Sequence, residues 1–186
     1  RINESGNLIV RGAVSWKEAR NYLRPLGLNI MTSPTEELAL ILAGAATSCT
    51  GERCFSFGNL RSQIISLKYL NFEGDEIQLH HDQDLKTSND YKADFERYKD
   101  FKNAPYPRLE KETDLMIGTE GQLGVITEIE LKVVKDYTLN HLFILLPKWE
   151  KNLTKHLDII EKIQNFRDNV LLCEFVDINS VNFLPK

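Results

Sequence analysis

The N-terminal pattern of apolar and polar residues predicts a short strand followed by a short helix. Residues 7–10 come after a polar turn and have the composition of a strand. Ser15 then precedes residues 16–23, and Glu18 stands at the third helical position, which is the signature of a capping box. The helix is expected to end at Pro25. Its buried side is predicted to carry Trp16, Ala19, Tyr22 and Leu23.

The pattern then shortens into brief apolar runs separated by polar residues. A strand is predicted over residues 28–31, and Thr35, which follows Pro34, is expected to begin a helix. Residues 38–47, LALILAGAAT, are apolar but mostly small. Small residues let a backbone approach a flat ligand closely, or they pack tightly in a core, and the sequence leaves both interpretations open. Residues 56–63 are expected to form a polar loop.

Alternation resumes in the middle of the chain and predicts a β-hairpin followed by a polar insertion. Residues 64–72 and 76–79 have strand patterns and are joined by the turn Glu73-Gly74-Asp75. The pair His80-His81 comes next. Because neighbouring residues of a strand point to opposite faces, a solvated strand end is favoured over a metal chelate. Residues 83–111 are almost entirely polar or charged and are predicted to be a surface excursion, within which residues 94–102 are a candidate amphipathic helix.

The C-terminal third predicts a change of unit after residue 136. The expected elements are a strand over 125–135, a strand over 139–146, a helix over 149–166 and a strand over 170–176. A new strand–helix–strand series indicates the beginning of a second α+β unit. We therefore expect an α+β protein with one domain over residues 1–136 and the beginning of another over residues 137–186.

Composition and charge exclude some classes of function. The 186 residues are 42% hydrophobic and 27% charged, as is ordinary for a globular protein. The net charge of −4 provides no basic footprint, so no nucleic-acid partner is expected. No apolar run approaches the ~20 residues of a membrane-spanning helix. The chain begins at Arg1 rather than at a Met, which leads us to expect part of a longer protein.

The three cysteines predict a reducing, cytoplasmic location rather than a disulfide framework. Cys49 and Cys54 lie close together in CTGERC, where a redox pair or half of a metal site is conceivable. No second cluster of Cys and His completes a metal site. Small buried thiols are the favoured interpretation for these two cysteines and for Cys173.

Residues 114–127, DLMIGTEGQLGVIT, contain the densest glycine pattern of the chain. The simplest interpretation is a short helix over 114–117, a glycine turn and then a strand from Val125. Backbone amides of the turn would be left free for an anionic or polar ligand. The alternative is a helix-to-strand connection whose glycines serve only packing, and spacing alone does not decide between the two.

Two segments together resemble one known family. GTEGQLGVIT is similar to the closing motif, roughly GSEGTLGIIT, of the FAD-binding domain in the vanillyl-alcohol oxidase superfamily. The closest pattern is that of the glycolate oxidase and D-lactate dehydrogenase flavoproteins. The matching residues are Gly118, Glu120, Gly121, Leu123, Gly124, Ile126 and Thr127. In the second segment, residues 33–77, the matching residues are Pro34, Ala46, Thr47, Gly51, Phe57, Gly58 and Arg61.

The resemblance implies the second subdomain of a PCMH-type FAD-binding domain, with a mixed or antiparallel sheet flanked by helices. FAD is the implied cofactor, and a hydroxy acid or similar alcohol is the implied substrate. The residues implied in FAD binding are Pro34, Gly44, Ala46, Thr47, Gly51, Gly118, Glu120, Gly121, Gly124, Val125 and Ile126. Arg61 is a candidate for a substrate carboxylate, with a structural pairing as the equal alternative. No catalytic or metal-binding residue is implied, and the oligomeric state is not fixed.

The chain departs from the family pattern at one place beside the implied cofactor. Leu42 and Ala43 stand where glycines are usual, and Ser48 replaces an Asn. Two hypotheses follow. The chain is part of an FAD-dependent oxidoreductase that transfers a hydride from a 2-hydroxy acid or alcohol to flavin, or it is a non-catalytic relative that acts as a binding or scaffold domain. The isolated chain is not expected to hold FAD stably in either case, because half of the implied cofactor site lies outside it.

Overall fold

A four-stranded antiparallel sheet organises the fold, in a computed structural model that describes residues 1–86, 96, 109–146, 153–166 and 169–176. The strands are β1 (Leu8–Arg11), β2 (Leu28–Ile30), β3 (Ile64–Leu70), β4 (Glu76–His80), β5 (Val125–Leu131) and β6 (Val133–Lys135). The larger sheet has the order β1-β5-β3-β4, and β2 pairs with β6 in a separate two-stranded sheet. All pairs are antiparallel. The α+β class and the antiparallel sheet are therefore confirmed.

Short helices connect these strands. They are α1 (Trp16–Leu23), α2 (Ile41–Ala46), α3 (Cys54–Phe57) and α4 (Thr154–Asn165), with 3-10 turns at Arg24–Leu26, Leu60–Gln63 and Glu112–Leu115. The capping box of α1 is confirmed: Glu18 N donates to Ser15 Oγ at 3.2 Å, and Ser15 N donates to Glu18 Oε2 at 2.8 Å. The expected buried side is correct for Trp16, Ala19 and Leu23 but wrong for Tyr22, which is 46% exposed.

The hydrophobic core lies between the larger sheet and the helices that cover it. Trp16 and Leu23 of α1 and Ile41 of α2 are almost completely buried. They pack with sheet residues such as Leu67 and Ile129, which are 1% and 0% exposed. In the described part of the chain, every buried hydrophobic residue of this core lies between Leu8 and Leu131.

The β3–β4 hairpin is confirmed, and the polar insertion begins and ends beside it. Leu85 N donates to Glu110 O at 2.9 Å, and Lys111 Nζ lies 2.5 Å from Asp84 Oδ1. The two ends of the insertion are thus held together at the sheet. A helix expected near residues 94–102 lies outside the described residues, apart from Glu96.

The predicted helix start at Thr35 is wrong, because the following backbone is used to cap α1. Lys17 N donates to Glu37 O at 2.8 Å and Trp16 N donates to Ala39 O at 3.1 Å. The first amides of a helix have no partner inside the helix, and here residues 37–39 supply carbonyls for them. A helix begins only at Ile41.

The strand predicted over 125–135 is interrupted at Lys132 and serves two sheets. β5 lies between β1 and β3, whereas β6 pairs Val133 with Ile30 of β2. Lys132 N instead donates to Gln63 O at 2.9 Å. The alternating segment 125–135 therefore contributes one strand to each sheet. The alternating pattern itself does not show that the strand divides at Lys132.

The strands predicted over 139–146 and 170–176 are wrong. Both segments lack regular secondary structure in the described residues, and Leu142 and Leu145 are 83% and 98% exposed. A strand needs a neighbouring strand, and the described chain offers none here. The helix predicted over 149–166 is confirmed from Thr154 onward as α4, while Trp149 lies outside the described residues. The boundary expected at residue 136 stays a prediction.

Candidate functional site

The two segments that carry the family resemblance meet at the C-terminal end of α2. Gly118 N donates to Ala45 O at 3.2 Å, and Glu120 N donates to Ala46 O at 2.9 Å. Ala45 O also accepts from Ser48 N at 3.0 Å just after the helix, so the glycine turn adds a second donor to Ala45 O and supplies one to Ala46 O. Residues far apart in sequence are thereby joined into one surface, which we call the α2–glycine surface: Ala43, Ala46, Thr47, Gly118 and Gly121.

The expectation of free amides in the glycine turn is only partly correct. Besides Gly118 and Glu120, the amide of Gln122 donates to Thr119 O at 3.0 Å and that of Gly124 to Gly121 O at 3.4 Å. The expectation is therefore wrong for these four amides. Three amides, those of Thr119, Gly121 and Leu123, make no hydrogen bond to any described residue.

Of the five glycines predicted to bind the cofactor, three are closely packed within the protein. A Cβ at Gly51 would lie 1.8 Å from Ser33 O, and one at Gly124 would lie 2.2 Å from Leu70 O. A Cβ at Gly44 would lie 3.0 Å from Cys49 Sγ. Because backbone atoms cannot withdraw, Gly51 and Gly124 in particular are fixed by the fold alone. The packing interpretation therefore holds for these positions.

The remaining two glycines, Gly118 and Gly121, are exposed and have a left-handed backbone. Their φ angles are 83° and 84°, and Glu120 between them has φ 53°. A Cβ at Gly121 would meet nothing closer than 4.0 Å. Internal packing therefore leaves space above Gly121, and the turn presents bare backbone to the exterior.

The α2 part of this surface is formed by small side chains. Ala43 and Thr47 are exposed, whereas Leu42 is partly buried and packs against the core. Leu42, which stands where a glycine is usual in the family, is thus directed toward the protein interior. Thr47 Oγ1 donates to Ala43 O at 3.0 Å, and Ser48 has φ 51°, a left-handed conformation that Asn adopts readily.

Other predicted cofactor residues surround this surface at different depths. Pro34 is half-buried and lies against the Gly51 turn, since a Cβ at Gly51 would be 3.0 Å from Pro34 N. Val125 and Ile126 belong to β5, where they pair with Leu70 and Tyr69 of β3. Val125 is 66% exposed and Ile126 is 9% exposed, so the strand presents only Val125 to the exterior.

Arg61 has the structural pairing that the sequence left as one of two alternatives. Its Nη1 lies 2.6 Å from Asp114 Oδ1, and its Nη2 donates to Ile117 O at 3.2 Å. The side chains of Arg61 and Asp114 are 12% and 4% exposed. Asp114 Oδ2 accepts from the amides of Glu110 and Lys111 at 3.0 and 2.9 Å. This buried ion pair fixes the segment that leads into the glycine turn.

The cysteines and histidines do not form a metal site in the described part of the chain. Burial raises the pKa of the Cys49 thiol to about 11, and the nearby Cys54 contributes in the same direction. The Cys49 thiol therefore stays protonated at neutral pH. Cys173 is exposed, so the expectation of a buried thiol is wrong there. His81 Nδ1 lies 3.3 Å from Thr113 Oγ1, while His80 is exposed at the strand end, as expected.

The sequence missed three residues that support this region. Asp114 holds Arg61, and Arg53 is 7% exposed with its Nη1 donating to Ile30 O at 2.8 Å. The ring of Tyr137 lies beside Arg53. A charged residue inside a glycine-containing turn was the only available signal for Arg53. Two grooves, of about 540 Å³ beside β1 and about 330 Å³ beside α4, are lined by none of the predicted cofactor residues.

The chain is similar in sequence to two curated D-lactate dehydrogenases. No family model matches the chain. It is 32% identical over 132 residues to D-lactate dehydrogenase (cytochrome), mitochondrial, of Arabidopsis thaliana, a match that covers 71% of this chain and 20% of that protein. It is 25% identical over 129 residues to the protein of that name from Kluyveromyces lactis, covering 69% and 19%. The chain spans about a fifth of the length of these curated relatives.

Two solved structures of alkyldihydroxyacetonephosphate synthase are also similar. They match 68% and 72% of this chain at 19% and 18% identity, cover 19% and 20% of those chains, and have TM-scores of 0.48 and 0.49. At these scores the structural similarity adds nothing to the assignment.

The curated relatives confirm the family recognised from the two motifs. The chain represents part of a PCMH-type FAD-binding domain of the vanillyl-alcohol oxidase superfamily. Within that superfamily it is similar to the D-lactate dehydrogenase flavoproteins. The names of both relatives include "mitochondrial", and the expected cytoplasmic location of this chain stays a prediction. In the described ranges no helix is long and apolar enough to cross a membrane.

Proposed function

We propose that this chain supplies one wall of the FAD site in an FAD-dependent oxidoreductase that oxidises a 2-hydroxy acid. The observation that carries the proposal is the α2–glycine surface. It joins the two family motifs through the Ala45 and Ala46 carbonyls, and none of its five residues has a side chain larger than that of Thr47. Similarity to proteins named D-lactate dehydrogenase supports the substrate class.

The residues of this surface fit the cofactor in size and polarity. The small, exposed side chains of Ala43 and Thr47 and the open space above Gly121 leave room for a flat ring or a nucleotide to contact the backbone, whereas Gly118 lies against Ser48. The amides of Thr119, Gly121 and Leu123 are donors suited to the polar edge of such a group. The exposed Glu120 carboxylate is suited to accept a hydrogen bond from a ribose hydroxyl.

FAD, when bound, supplies the two-electron oxidation, and the protein supplies orientation and polarity. Pro34, Gly44 and Gly51 contribute by fixing the backbone behind the surface, and Gly124 does so where β5 begins. Arg61 contributes by holding the glycine turn through Asp114, and its contact with a substrate carboxylate stays a prediction. The proton of the substrate hydroxyl needs a base that we place outside this chain. We retain residues 1–136 as the FAD-binding part and 137–186 as the beginning of a substrate domain.

The alternative, a non-catalytic binding or scaffold domain, rests on Leu42 and Ala43 in place of glycines. Leu42 packs against the core, and the exposed Ala43 adds only a methyl group. These two observations favour retained FAD binding over the alternative.

A matched pair of glycine variants tests the FAD surface in the full-length protein. Gly121→Ala and Gly74→Ala place a methyl group at φ 84° and 88° with open space around both, so each is expected to cost about 1–2 kcal/mol of stability. Only Gly121 lies on the α2–glycine surface, whereas Gly74 lies in the β3–β4 turn. Titration with FAD is expected to show a Kd raised about tenfold for Gly121→Ala and unchanged for Gly74→Ala. Equal FAD affinities in the two variants would refute this surface as the FAD wall.

The substrate class is tested separately by reduction of the bound flavin without oxygen. D-lactate, L-lactate and glycolate are the probes, and bleaching of the flavin by at least one of them is expected. If FAD binds and none of these acids reduces it, the 2-hydroxy-acid assignment is wrong while the cofactor assignment stands.

A further inference from the structure

Arg53 lies at the end of the Thr47–Arg53 turn beside the proposed FAD surface, and its side chain extends away from that surface. The residue is 7% exposed, and its Nη1 donates to Ile30 O, at the end of β2, at 2.8 Å. The guanidinium carbon lies 5.9 Å from the centre of the Tyr137 ring, within the range of a cation–π interaction. A buried cation therefore links this turn to two distant parts of the chain.

Tyr137 is held at the point where the chain leaves β6. Asp136 N donates to Gly27 O at 2.8 Å, and Asp136 Oδ1 accepts from Asn29 Nδ2 at 2.9 Å and from Tyr137 N at 3.1 Å. The Tyr137 hydroxyl oxygen is buried and has no hydrogen-bond partner of normal geometry among the described residues. Burial raises the pKa of this hydroxyl, while Arg53 opposes the increase by its charge and as a nearby hydrogen-bond donor. Since the hydroxyl makes no hydrogen bond of normal geometry, the ring supplies the main contact between Tyr137 and Arg53.

The second half of the turn is attached to the rest of the protein through Gly51 and through the Arg53 side chain. Gly51 packs directly on the backbone of Ser33, because a Cβ there would lie 1.8 Å from Ser33 O. Ser33 Oγ accepts in turn from Arg20 Nη2 at 3.1 Å. The second attachment is the Arg53 side chain, which binds β2 and Tyr137. The beginning of the turn is held separately, because Ser48 N donates to Ala45 O at 3.0 Å and Cys49 N donates to Gly44 O at 2.8 Å. Loss of the Arg53 side chain therefore frees the end of the turn from β2 and Tyr137 while its beginning stays attached to α2.

We propose that Arg53 is a positioning residue that couples the chain at Tyr137 to the Thr47–Arg53 turn. FAD affinity at the α2–glycine surface then depends on the Tyr137 ring, although Tyr137 is not itself part of that surface. The FAD-affinity part rests on the proposed function, whereas the coupling of Tyr137 to the turn is measurable without FAD. Residues that follow Tyr137 thereby gain a physical connection to the cofactor turn.

The first experiment measures amide hydrogen exchange over residues 47–53 of the full-length protein without FAD. In Tyr137→Ala and Arg53→Lys, the amides of this turn are expected to exchange about tenfold faster than in the wild type. The first variant loses the ring that contacts the buried guanidinium, and the second loses the guanidinium itself. Tyr137→Phe keeps the ring and is expected to match the wild type. Tyr22→Ala, at an exposed tyrosine of α1, is the control and is also expected to match it. Unchanged exchange in both Tyr137→Ala and Arg53→Lys would overturn the coupling, whether or not the protein binds FAD.

The second experiment titrates the same variants with FAD and records the visible circular dichroism of the bound flavin. Arg53→Lys and Tyr137→Ala are expected to raise the Kd by about tenfold and to alter the flavin spectrum, at a melting temperature close to that of the wild type. Tyr137→Phe should restore both. A Kd equal to that of the wild type in both variants would contradict the positioning role. So would a loss of FAD binding that is fully explained by the fraction of variant protein that is unfolded. A wild type that binds no FAD refutes the proposed function and the FAD part of the inference, and leaves the exchange result to decide the coupling.

Discussion

The pairing of Arg61 with Asp114 shows how a charged residue near a proposed site has a structural role. Both side chains are largely buried, and the second carboxylate oxygen of Asp114 is occupied by the amides of Glu110 and Lys111. The pair connects the 3-10 turn before β3 to the segment that precedes the glycine turn. Its contribution is therefore to hold one motif of the proposed FAD site against the rest of the fold.

We predict that Arg61→Met strongly destabilises the protein. The substitution keeps much of the side-chain volume but leaves the Asp114 carboxylate buried without its cation, which is expected to cost about 3–5 kcal/mol. Urea unfolding measures the change. The control is Arg11→Met, which breaks the exposed ion pair with Glu128 and is expected to have a much smaller effect. Similar losses in both variants would show that the Arg61 pair is not energetically special.

Among the elements, α1 is the one whose local sequence determines it most completely. Ser15 and Glu18 bond reciprocally, and these hydrogen bonds from the Ser15 backbone and side chain lower the pKa of Glu18. A carboxyl whose pKa is lower in the folded state stabilises the fold above its ordinary pKa of 4.5. That contribution disappears as the pH falls through the lower, folded-state pKa.

Glu18→Gln is therefore predicted to change the pH dependence of stability rather than the helix itself. Gln retains the capping-box geometry but does not ionise. The variant should be less stable than the wild type at neutral pH and equally stable once the pH is below the folded-state pKa of Glu18. Unfolding midpoints measured from neutral to acid pH test this, with the exposed Glu4→Gln as the control. If the variant stays less stable than the wild type by the same amount at acid pH, the stabilisation does not come from the charge of Glu18.

Elements with local signals were predictable from the sequence, whereas those set by distant partners were not. The α1 cap and the β3–β4 turn at Gly74 are encoded within a few residues of themselves. The helix expected at Thr35 failed because residues 37–39 supply carbonyls to α1. The β1–β5 and β3–β5 pairings join residues more than fifty positions apart, and alternation contains no information about such pairings.

The residues of the site were likewise predictable from the sequence only where the signal was local. The glycine motif identified Gly118 and Gly121, but only the structure separated them from Gly51 and Gly124, whose glycines are required by backbone packing. The contribution of Arg53 depends on its distance to Tyr137, eighty-four residues later in the sequence. Neither distinction is visible in residue spacing.

At the scale of the whole molecule, the described core is complete before residue 137. The exposed apolar residues that follow include Leu142, Phe143 and Leu145, which are 83%, 88% and 98% exposed. We predict that a chain ending at Tyr137 has the same urea midpoint as the 186-residue chain and binds less of an apolar dye. A truncated chain that fails to fold would place part of the core beyond Tyr137 and refute the proposed boundary.

The absorption spectrum of the purified full-length protein tests the central claim most directly. We expect a flavin band in the blue, either as purified or after addition of FAD and removal of the excess by gel filtration. The isolated 186-residue chain should show no such band, because only one wall of the site is present. A full-length protein that stays colourless after incubation with FAD would contradict the account and favour a non-catalytic relative of the family.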